Sequence, residues 1–146
     1  MTPARLAEAC AQAMWARDAA SPALGMALDH VEPGAARVSM TVAPHMLNGH
    51  GTCHGGLIFA LADTAFAFAC NTGGMASVAS HCSISFLHPV PPDAHLIAHA
   101  EERHQEGRTG IYDVRVTMGG TTVAEFRGLS RTTGQPLPYP PLPDAT

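Results

Sequence analysis

A chain of 146 residues with a formal net charge of −4 fits one domain and leaves little room for a second. Only 14% of its residues are charged and its eight cations are scattered arginines, with no lysine, which excludes a basic nucleic-acid face. Four cysteines (Cys10, Cys53, Cys70 and Cys82) lack CxxC or zinc-finger spacing, so they are expected as reduced thiols rather than a disulfide or metal framework.

Pro3 to Ala19 is predicted as an amphipathic helix, with Leu6, Cys10, Ala13, Met14 and Arg17 spaced by three and four. Thr2 is placed to cap it and Pro3 to open its first turn. Arg5, Glu8, Arg17 and Asp18 interrupt any apolar run, so no signal peptide is expected here. Ser21-Pro22 breaks the helix. Leu24, Met26 and Leu28 alternate as a strand, Pro33-Gly34 turns, and Val38, Met40 and Val42 alternate with polar neighbours as a second strand.

A loop rich in Gly, Asn and His, Pro44 to Thr52, leads into an apolar run from Gly55 to Asn71. With alanines at 60, 62, 65, 67 and 69, the run reads as a helix apolar on all sides, which belongs inside a core. It is too short to span a bilayer comfortably and carries Asp63, so a soluble cytoplasmic protein is the expectation.

Four strands are predicted after it. They are Val78 to Phe86, Leu96 to Ala100, Tyr112 to Met118 and Val123 to Arg131, with a hairpin loop at Gln105 to Thr109 and a two-residue turn at Gly119-Gly120. Consecutive strands joined by short turns make an antiparallel sheet, and one long apolar helix must be wrapped by it: an α+β fold. The domain is expected over residues 1–133. Residues 134–146, with five prolines, are expected as a loose tail.

Asp63 and Thr64 are the strongly polar side chains of that apolar helix. A carboxylate there is costly unless it is paired or solvated in a cleft. A structural ion pair is the bland explanation. The start of the helix favours a functional one: Asn48-Gly49-His50-Gly51-Thr52-Cys53-His54-Gly55-Gly56 places bare backbone where first-turn N–H groups lack internal partners and the helix dipole is positive. Such donors suit the oxyanion of acyl transfer. Gly55 and Asp63 are eight residues apart on one helix, roughly 12 Å along its axis. One acyl carbon cannot touch both in a single chain. Two antiparallel copies about a twofold would bring Gly55 of one beside Asp63 of the other.

The segment from Leu47 to Gly56, followed by Leu61-Ala62-Asp63-Thr64-Ala65-Phe66-Ala67-Phe68-Ala69-Cys70-Asn71, resembles the phenylacetate-degradation (PaaI-type) thioesterases of the hotdog superfamily. Weaker echoes lie at Phe86-Leu87-His88-Pro89, Thr109 to Asp113 and Phe126-Arg127-Gly128. The resemblance implies a hotdog fold, a tetramer built as a dimer of dimers, and hydrolysis of aryl- or hydroxyaryl-acetyl-CoA. It puts the catalytic carboxylate on Asp63, the oxyanion donor on Gly55, a positioning amide on Asn48 and a loop-shaping residue on His54. A hydroxyl residue that relatives carry on the following strand aligns with Ala79, with Ser77 and Ser80 nearby, and an arginine common before the loop proline is His88 here.

Asp63 is expected either to activate water or to attack the carbonyl itself. Met46, Leu47, Phe59 and Phe66, with Gly56 and Thr64, are the expected acyl-pocket residues, and Arg108 and Arg131 the candidate phosphate contacts. No cofactor beyond the substrate's own coenzyme A is expected. His45, His50 and His54 beside Cys53 make a poor metal set, because no carboxylate joins them on a regular face. Cys53-His54 as a nucleophile pair is disfavoured, since sequence neighbours rarely face each other. Two other readings remain open: a hotdog dehydratase using His54 and Asp63, and a non-catalytic acyl-CoA binder.

Overall fold

The computed structural model describes residues 1–137. Helix α1 spans Pro3–Arg17, and Thr2 caps it by accepting the Arg5 N–H at 3.2 Å. A four-residue helix α2, Ala20–Ala23, stands where only a break at Ser21-Pro22 had been expected, and strand β1, expected from Leu24, runs over Ala27–Glu32. The Asp18 carboxylate explains the shift: it accepts from both the backbone N–H and the hydroxyl of Ser21, at 2.9 and 2.6 Å, and so nucleates the extra helical turn.

Strand β2 is Ala35–Thr41, helix α3 is Gly55–Cys70, and strands β3 to β6 are Met75–Phe86, His95–Glu106, Thr109–Met118 and Thr121–Pro136. They form one antiparallel sheet in the order β1-β2-β4-β5-β6-β3. The strands outrun the sequence expectation. The loop expected at Gln105 to Thr109 is only the pair Gly107-Arg108, and β4 and β5 stay paired out to Glu106 and Thr109. Gly119 and Gly120 both have positive φ, 53° and 84°, as a two-residue type I′ turn demands. Strand β6 continues past Arg131 to Pro136, which faces Met75, so pairing reaches into the proline-rich stretch. The rest of the expected tail, residues 138–146, lies outside the described residues.

One face of this sheet wraps α3, the hotdog arrangement. Val38, Met40, Leu96, Ala98, Val114 and Val116 are buried under the helix, which sinks Ile58, Leu61, Ala62, Ala65, Phe66, Phe68 and Ala69 into them. The alanines let sheet and helix approach closely. At Gly128 the approach is closer still: a Cβ there would lie 2.7 Å from the Phe66 ring. Asn71 fastens the far end of α3, accepting the Ser77 N–H at 2.8 Å and donating to the Ala67 and Ser77 carbonyls. No helix is long and apolar enough to cross a membrane among the described residues.

Candidate active site

The Asn48 side chain organises the loop before α3. Its Oδ1 accepts the N–H groups of His50 and Thr52, at 2.9 and 3.2 Å, while its Nδ2 donates to the Thr52 hydroxyl at 3.0 Å. This folds residues 48–52 into a tight turn closed by a Leu47–Cys53 bridge. Cys53 N–H then donates to Val90 O, and His54 N–H to Met46 O, both at 2.8 Å. The chain therefore enters the helix with a fixed direction. His54 is the N-cap residue, in extended conformation (φ −58°, ψ 133°), and its carbonyl accepts from Leu57 and Ile58. Its ring is exposed. The N–H groups of Gly55 and Gly56 have no acceptor among the described residues. They open toward a cleft of about 370 Å³ that Gly55 lines together with Cys53, Ile58 and the segment Phe86 to Val90.

Asp63 lies two turns further along α3, in a second cleft of about 350 Å³ walled by Met14, Arg17 and Asp18 at the end of α1 and by Thr64 and Phe68. Its carboxylate is half-buried, and no hydrogen bond or ion pair reaches it from the described residues. Burial alone raises its pKa above the ordinary aspartate value. The bland explanation, a structural ion pair, therefore finds no partner among the described residues. Burial also raises the Cys53 thiol, which stays protonated at neutral pH and is a poor nucleophile. The Cys70 thiol is pushed up to about 12, chiefly by burial, with the Asp63 charge adding to the effect.

The structure thus puts Gly55 and Asp63 in separate clefts, as their helical spacing requires. Gly56 is exposed beside Gly55. The Thr64 hydroxyl donates to Ala60 O at 2.7 Å, so its hydrogen is committed to the helix. The expected acyl-pocket residues do not converge. Phe66 and Met46 are 1% and 2% exposed and belong to the core, Phe66 stacking edge-on to Tyr112, because the helix face that carries Phe66 is the one the sheet covers. Phe59 packs against Phe126, with ring centroids 5.4 Å apart, and Leu47 holds the loop bridge. Arg108 lies over Gly134 at a hairpin tip and Arg131 is exposed on β6; neither lines either cleft. Ala79 is exposed on β3. No three His, Cys, Asp or Glu side chains converge as a metal site among the described residues.

What the sequence did not announce is the apolar wall beside Gly55, contributed by the end of β3 and the turn after it. Val78, Ser80, Cys82, Ile84 and Phe86 alternate as one strand. A register shift separates Ala79 from His81, and Phe86, in phase with the half-buried Cys82 and Ile84, ends exposed in the cleft at the end of the strand.

Residues 50–125 match the model of the thioesterase superfamily. The acyl-coenzyme A thioesterase PaaI of Escherichia coli (strain K12) is 50% identical over 125 residues, which cover 85% of this chain and 89% of the relative. The structure of the E. coli PaaI protein from the phenylacetic acid degradation operon superposes with a TM-score of 0.90 at 46% identity, covering 92% of this chain and 99% of that one. A hypothetical thioesterase protein from Streptococcus pneumoniae TIGR4, solved with coenzyme A, superposes with a TM-score of 0.73 at 27% identity over 77% of this chain and 91% of its own. With a hotdog core, a bare helix start and a half-buried carboxylate in its central helix, the chain belongs to the thioesterase superfamily.

Proposed function

We infer that the protein hydrolyses acyl-CoA thioesters of the aryl- or hydroxyaryl-acetyl class, giving the free acid and coenzyme A. The thioesterase activity follows from the family. The acyl class rests on the resemblance to E. coli PaaI, whose structure is described as coming from a phenylacetic acid degradation operon. Coenzyme A in the streptococcal structure supports a CoA thioester as the substrate.

The observation that carries the mechanism is Asp63: a half-buried carboxylate without a partner among the described residues, its proton affinity raised by burial. As a base it takes a proton from water, and the oxygen adds to the thioester carbon. The oxyanion rests on the Gly55 N–H at the positive end of α3. Collapse then breaks the C–S bond, and the proton goes to the departing thiolate. Direct attack by the carboxylate, through an anhydride, uses the same two groups. Asn48 and His54 set the loop that aims the Gly55 N–H. No cofactor is needed beyond the coenzyme A of the substrate.

The two groups belong to one site only across two protomers. Strand β3 supports this reading. Among the described residues it pairs with β6 alone, leaving its other edge open, and Met75 and Val78 are exposed on it. An apolar open edge is a template for a second chain. Antiparallel pairing of β3 with its copy about a twofold sets the two α3 helices head to tail and brings Gly55 of one protomer toward the partner's Asp63. A dimer of such dimers gives the tetramer that the resemblance implies.

The test is CoA release from phenylacetyl-, hydroxyphenylacetyl-, benzoyl- and straight-chain acyl-CoA by wild type and by Asp63→Asn. The arylacetyl thioesters should be the best substrates, and the variant should lose about 10²- to 10⁴-fold in kcat at unchanged oligomeric state. Retained turnover in Asp63→Asn contradicts the assignment. Label from heavy-oxygen water entering the Asp63 carboxylate in a single turnover would select the anhydride route over the base route.

A further inference from the structure

We propose that Phe86 sets which acyl groups this enzyme accepts, by forming the wall against which the group attached to the thioester carbon packs. The assignment rests on the reading of Gly55 as oxyanion donor.

The geometry begins at the helix start. An ideal Cβ on Gly55 would lie 3.0 Å from Cζ of Phe86 and 3.4 Å from both Cε atoms, so the ring edge abuts the backbone of residue 55. A carbonyl oxygen accepting the Gly55 N–H sits about 2.9 Å from that nitrogen. The two substituents of that carbonyl, the first acyl carbon and the thioester sulfur, then lie close to the ring. The cleft they enter is mostly apolar, lined by Cys53, Ile58, Leu87, Pro89 and Val90 with Phe86, and by the polar His88. A mostly apolar lining accepts a hydrocarbon or aryl group better than the polar amides and phosphates of the CoA arm. The residues first expected to form an acyl pocket are absent from it, Phe66 and Met46 being sealed in the core. Within the wall, Phe86 is the large ring, and it is 51% exposed, so its outer face is open for contact.

Size discrimination follows from shape. A hydrocarbon pocket separates substrates by roughly 10- to 200-fold for each methylene that fits badly. Removing the ring enlarges the chamber beside the reacting carbon, and enlarging the ring narrows it. The position sits at the end of an edge strand, where Phe86→Ala leaves the core packing intact.

The experiment measures kcat/KM of the full-length protein for phenylacetyl-CoA and for the bulkier naphthylacetyl-CoA, in wild type, Phe86→Ala and Phe86→Trp, with circular dichroism and oligomeric state checked for each. Phe86→Ala should move the naphthylacetyl to phenylacetyl ratio upward by about tenfold, and Phe86→Trp should move it down. An unchanged ratio, including a uniform fall for both substrates as expected if the cleft held the CoA arm, overturns the Phe86 assignment while the thioesterase reading stands. A wild type that cleaves neither thioester overturns both. A misfolded Phe86→Ala leaves the decision to Phe86→Trp, where an unmoved ratio counts against the proposal.

Discussion

Asp63 occupies a position that apolar packing alone would fill better. Its raised pKa has a definite sign in stability. At low pH the carboxyl is protonated in both folded and unfolded chains and carries no penalty. As pH rises past the ordinary carboxylate value the unfolded chain ionises first, so stability is lost until the folded group ionises as well. Asp63→Asn removes this term. The variant should melt above wild type at pH 7, and the difference should shrink to nothing as pH falls to about 4; equal melting temperatures across that range would contradict a desolvated carboxylate. The same group predicts an acid limb in kcat/KM that lies above the ordinary aspartate pKa. The sequence made Asp63 legible because a lone acid in an alanine-rich helix, behind a glycine-rich helix start, is costly unless it is paired or functional. It did not make the acyl wall legible. Whether Phe66 or Phe86 is covered depends on which face of α3 the sheet covers and on where β3 ends, and both are tertiary facts.

At the scale of elements, helix α3 was the most readable: its expected span, Gly55 to Asn71, matches Gly55–Cys70 with Asn71 as cap. Periodicity and terminal glycines decide such a helix locally. Strand ends were less readable, because β4, β5 and β6 are prolonged by cross-strand pairing that composition does not record. The region after α1 was read only in part: the Asp18–Ser21 interaction adds a helical turn over Ala20–Ala23, and the strand expected from Leu24 begins at Ala27. The seat of α3 on the sheet depends on Gly128. Its missing Cβ makes room for Phe66, whose ring is also held by Tyr112 and Phe126 at centroid distances of 5.6 and 5.8 Å and has no space to retreat. Gly128→Ala should lower stability by about 1–3 kcal/mol, read as a lower urea midpoint at unchanged slope. A midpoint equal to wild type would show that the helix is free to shift on the sheet.

For the whole molecule, the central claim is that each site is shared: the donor comes from one protomer and the acid from the other. The single-chain structure already separates them into two clefts. The donor can be deleted without breaking the helix. Gly55→Pro removes that N–H at a position where proline is well tolerated, and His54 before it already has the extended backbone that proline requires. The exposed Phe86 ring must swing aside, which its open surroundings allow. Alone, Gly55→Pro should lose about 10²- to 10³-fold in kcat. The decisive measurement mixes Gly55→Pro with Asp63→Asn, denatures and refolds them together, and assays CoA release. Each hybrid dimer would pair an intact Gly55 with the partner's intact Asp63 in one of its two sites, so random assembly should recover roughly a quarter of wild-type activity. A mixture no more active than the sum of its two parents would contradict a site shared between protomers.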